Sequence, residues 1–348
     1  MPRAPRPEDL YDLRVPTDLR ISPDGRWVAF SVKAVAPNKD GYRSAIWLAP
    51  VDGSAPARQL TAGAKSDTAP RWSPDGRRLA FLSDRAAVLQ AGGGGPKPGK
   101  AEAPKEGGTQ VWLLPFADGG EARQLTDLPR DVEEVAWSPD GGRLCIVSTA
   151  TTERHERKPE LPPGQPPESD IRLIDRLRYQ HNGVGFVHDR FQNLWLVDVE
   201  SGGLTRLTDG PNRDQEPAWS PDGGRIAFVS DRHRNPDLTW RTDVYLVDAD
   251  GGRPRRLSSG SGKQAFVAPA WSPDGEWVGA LGVREVRRRT IPQASVWRFR
   301  VADGSTEELT ARVDLDPAAG MNSDLVGAGP PRLFWQDPGR FVFTAPVE

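Results

Sequence analysis

Residues 216–258 read EPAWSPDGGRIAFVSDRHRNPDLTWRTDVYLVDADGGRPRRLS, and this stretch contains the grammar of the whole chain. Pro217 to Ser220 reads as a short extended strand. Pro221-Asp222-Gly223 follows as a tight turn, proline fixing φ and glycine free to take a positive φ. Ile226, Phe228 and Ser230 then alternate with Ala227 and Val229, so both faces of the next strand are mostly apolar, the pattern of a strand packed on either side. Asp243 to Val247 supplies a third strand, Asp250-Gly251-Gly252 turns the chain, and Arg255 to Leu257 gives a short fourth. The stretch predicts four antiparallel strands.

The same sentence recurs along the chain. Its copies begin at Ile21 (ISPDGRWVAF), Trp72 (WSPDGRRLAF), Trp137 (WSPDGGRLCI), Trp219 (WSPDGGRIAF) and Trp271 (WSPDGEWVGA), with a degraded sixth at Trp335 (WQDPGRFVF). The starts lie 51, 65, 82, 52 and 64 residues apart, the repeat length of a β-propeller blade stretched by insertions. Third strands recur at 44–53, 109–119, 192–202 and 294–304, and fourth strands end in RQLT, RQLT, TRLT and EELT. The expected fold is therefore all-β, a β-propeller of four-stranded antiparallel blades. Five blades are complete, at about 17–62, 67–127, 131–208, 214–258 and 266–310, and a partial sixth occupies 325–348. Residues 1–16 form an N-terminal extension in which Pro7-Glu8-Asp9 favours the start of a short helix.

Composition narrows the function classes. Lysine plus arginine number 46 against 48 acidic residues, a net charge of −2, so nucleic acid is not an expected partner. One cysteine, Cys145, excludes an intrachain disulfide and a cysteine metal cluster. No stretch approaches eighteen apolar residues and the N-terminus lacks the apolar core of a secretion signal, so no membrane association and a cytoplasmic location are expected.

The repeat also absorbs residues that would otherwise look functional. The tryptophans at 72, 137, 219 and 271 recur before the turn, and those at 47, 112, 195 and 297 on third strands, positions where flat rings pack between blades. Asp75, Asp140, Asp222 and Asp274 fit hydrogen bonding to the turn backbone rather than acid catalysis.

Departures from the repeat are where function is expected, because inserted loops reach partners at little cost to the fold. Ala86 to Gly108 is a low-complexity insertion rich in glycine, proline and lysine, read as a loop. The third blade carries about forty extra residues, Ala150 to Arg190, in which Ile171, Ile174 and Leu177 fall at helical or irregular spacing. There Arg176, Arg178, Tyr179, His181 and His188 gather near Gly183 and Gly185, a set able to present a cation and a phenol to a peptide carboxylate or an acidic side chain. These five are the candidate substrate-gating residues, weighed against a long hairpin with its polar residues in water. Arg287-Arg288-Arg289 reads as a solvated charge run. His181 and His188 lack a third ligand at metal spacing, and no metal or other cofactor is expected. No Gly-x-Ser-x-Gly elbow and no phosphate-binding glycine loop occurs in these residues, so no catalytic residue is assigned.

The opening RPEDLYDLRVPTDLRISPDGRWVAFSV, the blades ending in LSDR or VSDR, and the segment RLRYQHNGVGFVHDRFQNLWLVD together resemble the N-terminal propeller of the prolyl oligopeptidase family, in its acylaminoacyl-peptidase-like branch. The resemblance covers essentially the whole chain. It implies a propeller, usually of seven blades, that gates access of short peptides to an α/β-hydrolase domain following it and bearing a serine, aspartate and histidine triad. That domain would be its partner, with short peptides as ligands. A homo-oligomer is also compatible, since members of the branch often assemble. None of the triad residues maps onto this sequence, and the chain is expected to be inactive alone, cut before the seventh blade and the hydrolase. The alternative is a TolB-like propeller, a non-enzymatic protein-interaction module that uses the same turn. A third reading, catalysis by channel carboxylates, has little support once the aspartates are assigned to turns.

Overall fold

The computed structural model describes residues 4, 6–85, 108–117, 119–151, 173–181, 185–188, 190–259, 262–285, 293–314, 316–318 and 332–343. Most of the insertion at 86–108, the polar first half of the third-blade insertion and the arginine run at 287–289 lie outside the described residues. Within them, a 3-10 helix (Pro7–Asp12) precedes a series of antiparallel sheets, so the expected N-terminal helix forms in its tighter 3-10 variety. The first sheet has β1 (Arg14–Ile21), β2 (Trp27–Val35), β3 (Tyr42–Pro50) and β4 (Arg58–Gln59), in that order. The second has β5 (Asp67–Trp72), β6 (Arg78–Ser83), β7 (Gln110–Pro115) and β8 (Arg123–Gln124).

A third sheet is ordered β9 (Val132–Trp137), β10 (Arg143–Thr151), β13 (Arg190–Asp198) and β14 (Leu204–Arg206), with a small hairpin of β11 (Gln180–His181) and β12 (Gly185–Phe186) interposed in sequence. The fourth has β15 (Asp214–Trp219), β16 (Arg225–Ser230), β17 (Asp243–Asp248) and β18 (Arg255–Arg256). The fifth has β19 (Ala265–Trp271), β20 (Trp277–Val283), β21 (Ser295–Arg300) and β22 (Thr306–Glu308), and a last pair joins β23 (Leu333–Asp337) to β24 (Arg340–Phe343). The described residues fall into two compact units. The first takes in those of Met1–Ile146 with Leu196–Leu204, and the second those of Val147–Trp195, Thr205–Ala319 and Pro330–Glu348.

Each turn of the repeated sentence is built by one set of bonds. The serine hydroxyls of Ser22, Ser73, Ser138, Ser220 and Ser272 donate to the Oδ1 atoms of Asp24, Asp75, Asp140, Asp222 and Asp274, each at 2.5 Å. The same oxygens accept the backbone N–H two residues on, at 3.0–3.1 Å. Glycine closes the turn at φ between +69° and +72°, a region in which a Cβ is strained. The serine hydroxyl, then the backbone N–H, holds these carboxyls below the usual aspartate value. The LT ending has an equally local cause: the hydroxyls of Thr61, Thr126, Thr208, Ser258 and Thr310 accept backbone N–H groups of the third strands at 2.8–3.1 Å.

The tryptophan before the turn links one sheet to the next. In the first unit the indole N–H of Trp72 donates to the Arg20 carbonyl and that of Trp137 to the Arg71 carbonyl, both at 3.0 Å. In the second unit Trp271 donates to Ala218 at 3.0 Å and Trp335 to Ala270 at 2.9 Å. In every case the acceptor is the residue just before the preceding copy of the motif. The degraded sixth copy keeps this bond although it has lost the turn serine.

Apolar packing accompanies it: Ile46, Leu48, Leu79 and Phe81 are fully buried beside Trp72 and Trp112 in the first unit. Val278, Ala280 and Phe299 are fully buried beside Trp271 and Trp297 in the second. Cys145 is buried within β10, as its apolar neighbours predict.

The innermost strands begin earlier than the sequence pattern implies. β15 starts at Asp214 rather than near Pro217, and its register shifts between Gln215 and Ala218. Glu216 sits there at φ +55°, and Pro217 has no N–H to offer the ladder, so the chain bulges and resumes pairing. The same shift recurs in β1, β5 and β19, where Asp18, Ala69 and Ala268 take φ of +52° to +53°.

Candidate functional site

At one end of the fourth sheet Asp214, Ser230 and Asp243 stand side by side in register. All three are buried, so their charges require partners inside the protein. Arg232 meets Asp214 in a two-pronged pair, Nε to Oδ1 at 3.0 Å and Nη2 to Oδ2 at 2.5 Å, while the Ser230 hydroxyl donates to Oδ1 at 2.6 Å. Asp243 is held by Arg241 at 3.0 Å, Arg256 at 2.8 Å and the Ser258 hydroxyl at 2.9 Å. This explains the SDR ending of the second strand. Its serine and arginine clamp the first residue of the inner strand, and its aspartate accepts the backbone N–H of Arg213 at 2.8 Å. The second sheet repeats the device, Arg85 pairing with buried Asp67 at 2.6 Å and Asp84 accepting from Ser66 at 2.7 Å.

Above this neutralised floor lie the loop 231–242 and the segment 173–188. The loop contains a 3-10 turn, Pro236–Leu238, and His233, whose Nε2 lies 3.3 Å from both the Arg241 carbonyl and the Thr239 hydroxyl. Partial burial holds the His233 imidazole below the usual histidine value. Residues 173–179 form no helix and are irregular; the hairpin of β11 and β12 follows, and Val187 closes onto Tyr179 through a backbone bond of 2.8 Å.

The candidate side chains divide. Arg178 donates through Nη2 to the Thr239 carbonyl, and its guanidinium lies 4.4 Å from the centre of the Trp240 ring. Burial, and then the neighbouring Arg213, hold Arg178 below the usual arginine value. Arg176 donates to the Pro211 carbonyl at 3.3 Å and lies 4.6 Å over the Phe191 ring. Arg213 reaches His181, Nη2 to Nε2 at 3.3 Å. A guanidinium only donates, so the acceptor in this contact is Nε2 of His181.

Tyr179 and His188 lie against Phe186, at 6.4 and 6.2 Å between ring centres. Residues 174–177 and 234–238 border a cleft of about 580 Å³ beside the arginines. Among the described residues no cluster of three metal-ligating side chains occurs, and no helix is long and apolar enough to cross a membrane.

Two participants escaped the sequence reading. Trp240 is the one tryptophan of the twelve that lies outside both the copies of the turn motif and the third strands, a signal present in the sequence, and it is 62 % exposed. Arg213 gave no signal, because a lone arginine before an inner strand looks like any loop residue.

Comparison with known proteins agrees with this architecture. A TolB beta propeller domain model matches residues 184–319. The chain is 31% identical over 334 residues to the uncharacterized peptidase YuxL of Bacillus subtilis, covering 94% of this chain and 46% of that protein. Among solved structures it resembles the acylaminoacyl peptidase of Pyrococcus horikoshii, at a TM-score of 0.63 and 17% identity, over 97% of this chain and 43% of that one. It also resembles the β-propeller domain of the Trilobed protease from Pyrococcus furiosus, at a TM-score of 0.56 and 15% identity, over 96% of this chain and 78% of that domain. The chain spans less than half the length of YuxL and of the acylaminoacyl peptidase. The chain is a β-propeller that matches the TolB beta propeller domain over residues 184–319 and a peptidase sequence along nearly its whole length.

Proposed function

We propose that this propeller is the substrate-gating part of a serine peptidase of the acylaminoacyl-peptidase or oligopeptidase type, limiting access of peptides to a catalytic α/β-hydrolase domain in the same polypeptide. The observation that carries the reading is the match to a peptidase across 94% of this chain but only 46% of the relative, which leaves room in such a protein for a catalytic domain of similar size. The packing is compatible with it: within each unit tryptophan bonds tie one sheet to the next, buried ion pairs hold strand ends within a sheet, and closely packed sheets of this kind can exclude folded substrates by size. Peptide handling also fits the half-buried Arg176 and Arg178 and the exposed Tyr179 that stand beside the fourth sheet.

The test uses the full reading frame that contains this chain. Purified protein should hydrolyse short N-acylated or unblocked chromogenic peptides, lose that activity to a serine-directed phosphonate, and leave a long unfolded protein such as reduced casein largely uncut. Equal cleavage of short peptides and casein removes the gating role. Absence of hydrolysis and of serine labelling, together with stable capture of a protein ligand, gives the TolB-like interaction module instead.

A further inference from the structure

Buried acids and basic groups in the second unit are matched with care, which makes three exceptions informative. Asp214 is satisfied by Arg232 and Ser230, Asp243 by Arg241, Arg256 and Ser258, and Asp231 accepts the Arg213 backbone N–H. Arg176, Arg178 and Arg213 are left outside these pairs. Among the described residues none of the three has a carboxylate within ion-pairing distance; their side-chain hydrogen bonds go to two backbone carbonyls and a ring nitrogen of His181. Asp231 and Asp237 act on Arg178 only through their more distant fields.

Two of these guanidiniums are also held in place. Arg178 lies against Trp240 and Arg176 against Phe191, so each has given up side-chain freedom and part of its hydration before any ligand arrives. An arginine fixed on a ring, with N–H groups to spare and no acid within ion-pairing distance, presents the planar fork that carboxylates accept. The exposed Leu177 and Leu238 flank it with apolar surface.

We infer that Arg176, Arg178 and Arg213 form a carboxylate-binding site at the end of the fourth sheet, which takes the carboxylate of a short peptide with an apolar residue beside it. Arg178 is the central donor, Trp240 is its platform, and His181 orients Arg213. The choice of a peptide as ligand rests on the proposed peptidase role, whereas the arrangement of the arginines does not.

The experiment is calorimetric titration of the chain itself with three probes: acetyl-Gly-Gly-Leu as the free acid, the same peptide as its C-terminal amide, and an amidated acetyl-Glu-Leu. Saturable binding of the free acid is expected, at least about tenfold stronger than that of the amide, and weakening as salt is raised. Arg178→Gln and Arg213→Gln should each weaken it about tenfold or more, while Arg178→Lys, which keeps the charge but loses the fork, falls between. Binding of the amidated glutamate peptide at the strength of the free acid supports the site and identifies an acidic side chain as the source of the carboxylate. Equal binding of free acid and amide overturns the site, as does undiminished binding in Arg178→Gln with an unchanged circular dichroism spectrum. Because the measurement needs no catalytic domain, loss of binding with size-selective hydrolysis intact removes this site alone. Binding in a protein without hydrolysis keeps the site and removes the peptidase role.

Discussion

Replacing Asp214 by alanine tests the reasoning most directly, because its carboxylate is fully buried and accepts three hydrogen bonds from Arg232 and Ser230. Truncation leaves the Arg232 guanidinium, only 17% exposed at its side chain, without its two-pronged partner, and leaves the Ser230 hydroxyl without its acceptor. Removing one member of a buried ion pair costs about 3–5 kcal/mol, which is two to nearly four powers of ten in the local opening equilibrium. The exposed pair Arg298–Glu307, at 2.6 Å, supplies the control, since Glu307→Ala should cost under about 1 kcal/mol. The double variant Asp214→Leu/Arg232→Met exchanges the pair for apolar volume and should recover most of the loss. Native-state hydrogen exchange is the appropriate assay, read at the amides of β15 and β16, because it reports opening of that sheet without requiring the whole chain to unfold in one step. If Asp214→Ala costs no more than Glu307→Ala, or if the double variant is as damaged as the single one, the pair is not the clamp described here.

Three further outcomes follow from the packing. Gly279→Ala would place a Cβ 2.7 Å from the Phe341 ring and 2.8 Å from Leu333, so it should destabilise the β23–β24 pair by about 1–3 kcal/mol, seen as accelerated exchange or proteolysis there. The turn aspartates Asp75, Asp140, Asp222 and Asp274 are held below the ordinary aspartate value, so their stabilisation is complete above about pH 4 and is lost as pH falls through the depressed values. Ser220→Ala removes the largest cause at Asp222 and should make the melting temperature less steep in that acid range. Burial pushes the Cys145 thiol up, so it should resist a disulfide reagent in the native protein and react fully in denaturant.

Much of the site was legible only in part. Arg176 and Arg178 stood out because they break a repeat, and the structure places both against aromatic rings. Tyr179 and His188 belonged to the same cluster in sequence but both lie against Phe186, a ring that the register of β11 and β12 places opposite Gln180. Trp240 could have been found as the tryptophan that the repeat does not explain. Arg213 could not, because its role comes from a neighbour 32 residues earlier, His181.

What the sequence determined by itself is everything that depends on near neighbours. The serine–aspartate turn, its positive-φ glycine, the alternating strands and the threonine that caps the third strand are each closed by bonds within about fifteen residues, so a repeated sentence is enough to specify them. Tertiary structure decided what spans one sheet to the next. It gave the indoles of Trp72, Trp137, Trp271 and Trp335 a carbonyl 52 to 66 positions away, exposed the bulges that let inner strands bend around proline, and paired the buried aspartates with their arginines. It left three arginines without acids at the end of the fourth sheet. The physical reason is that a polar group's partner inside a protein is chosen by which surfaces the packed sheets bring together, and distance along the chain carries no record of that choice.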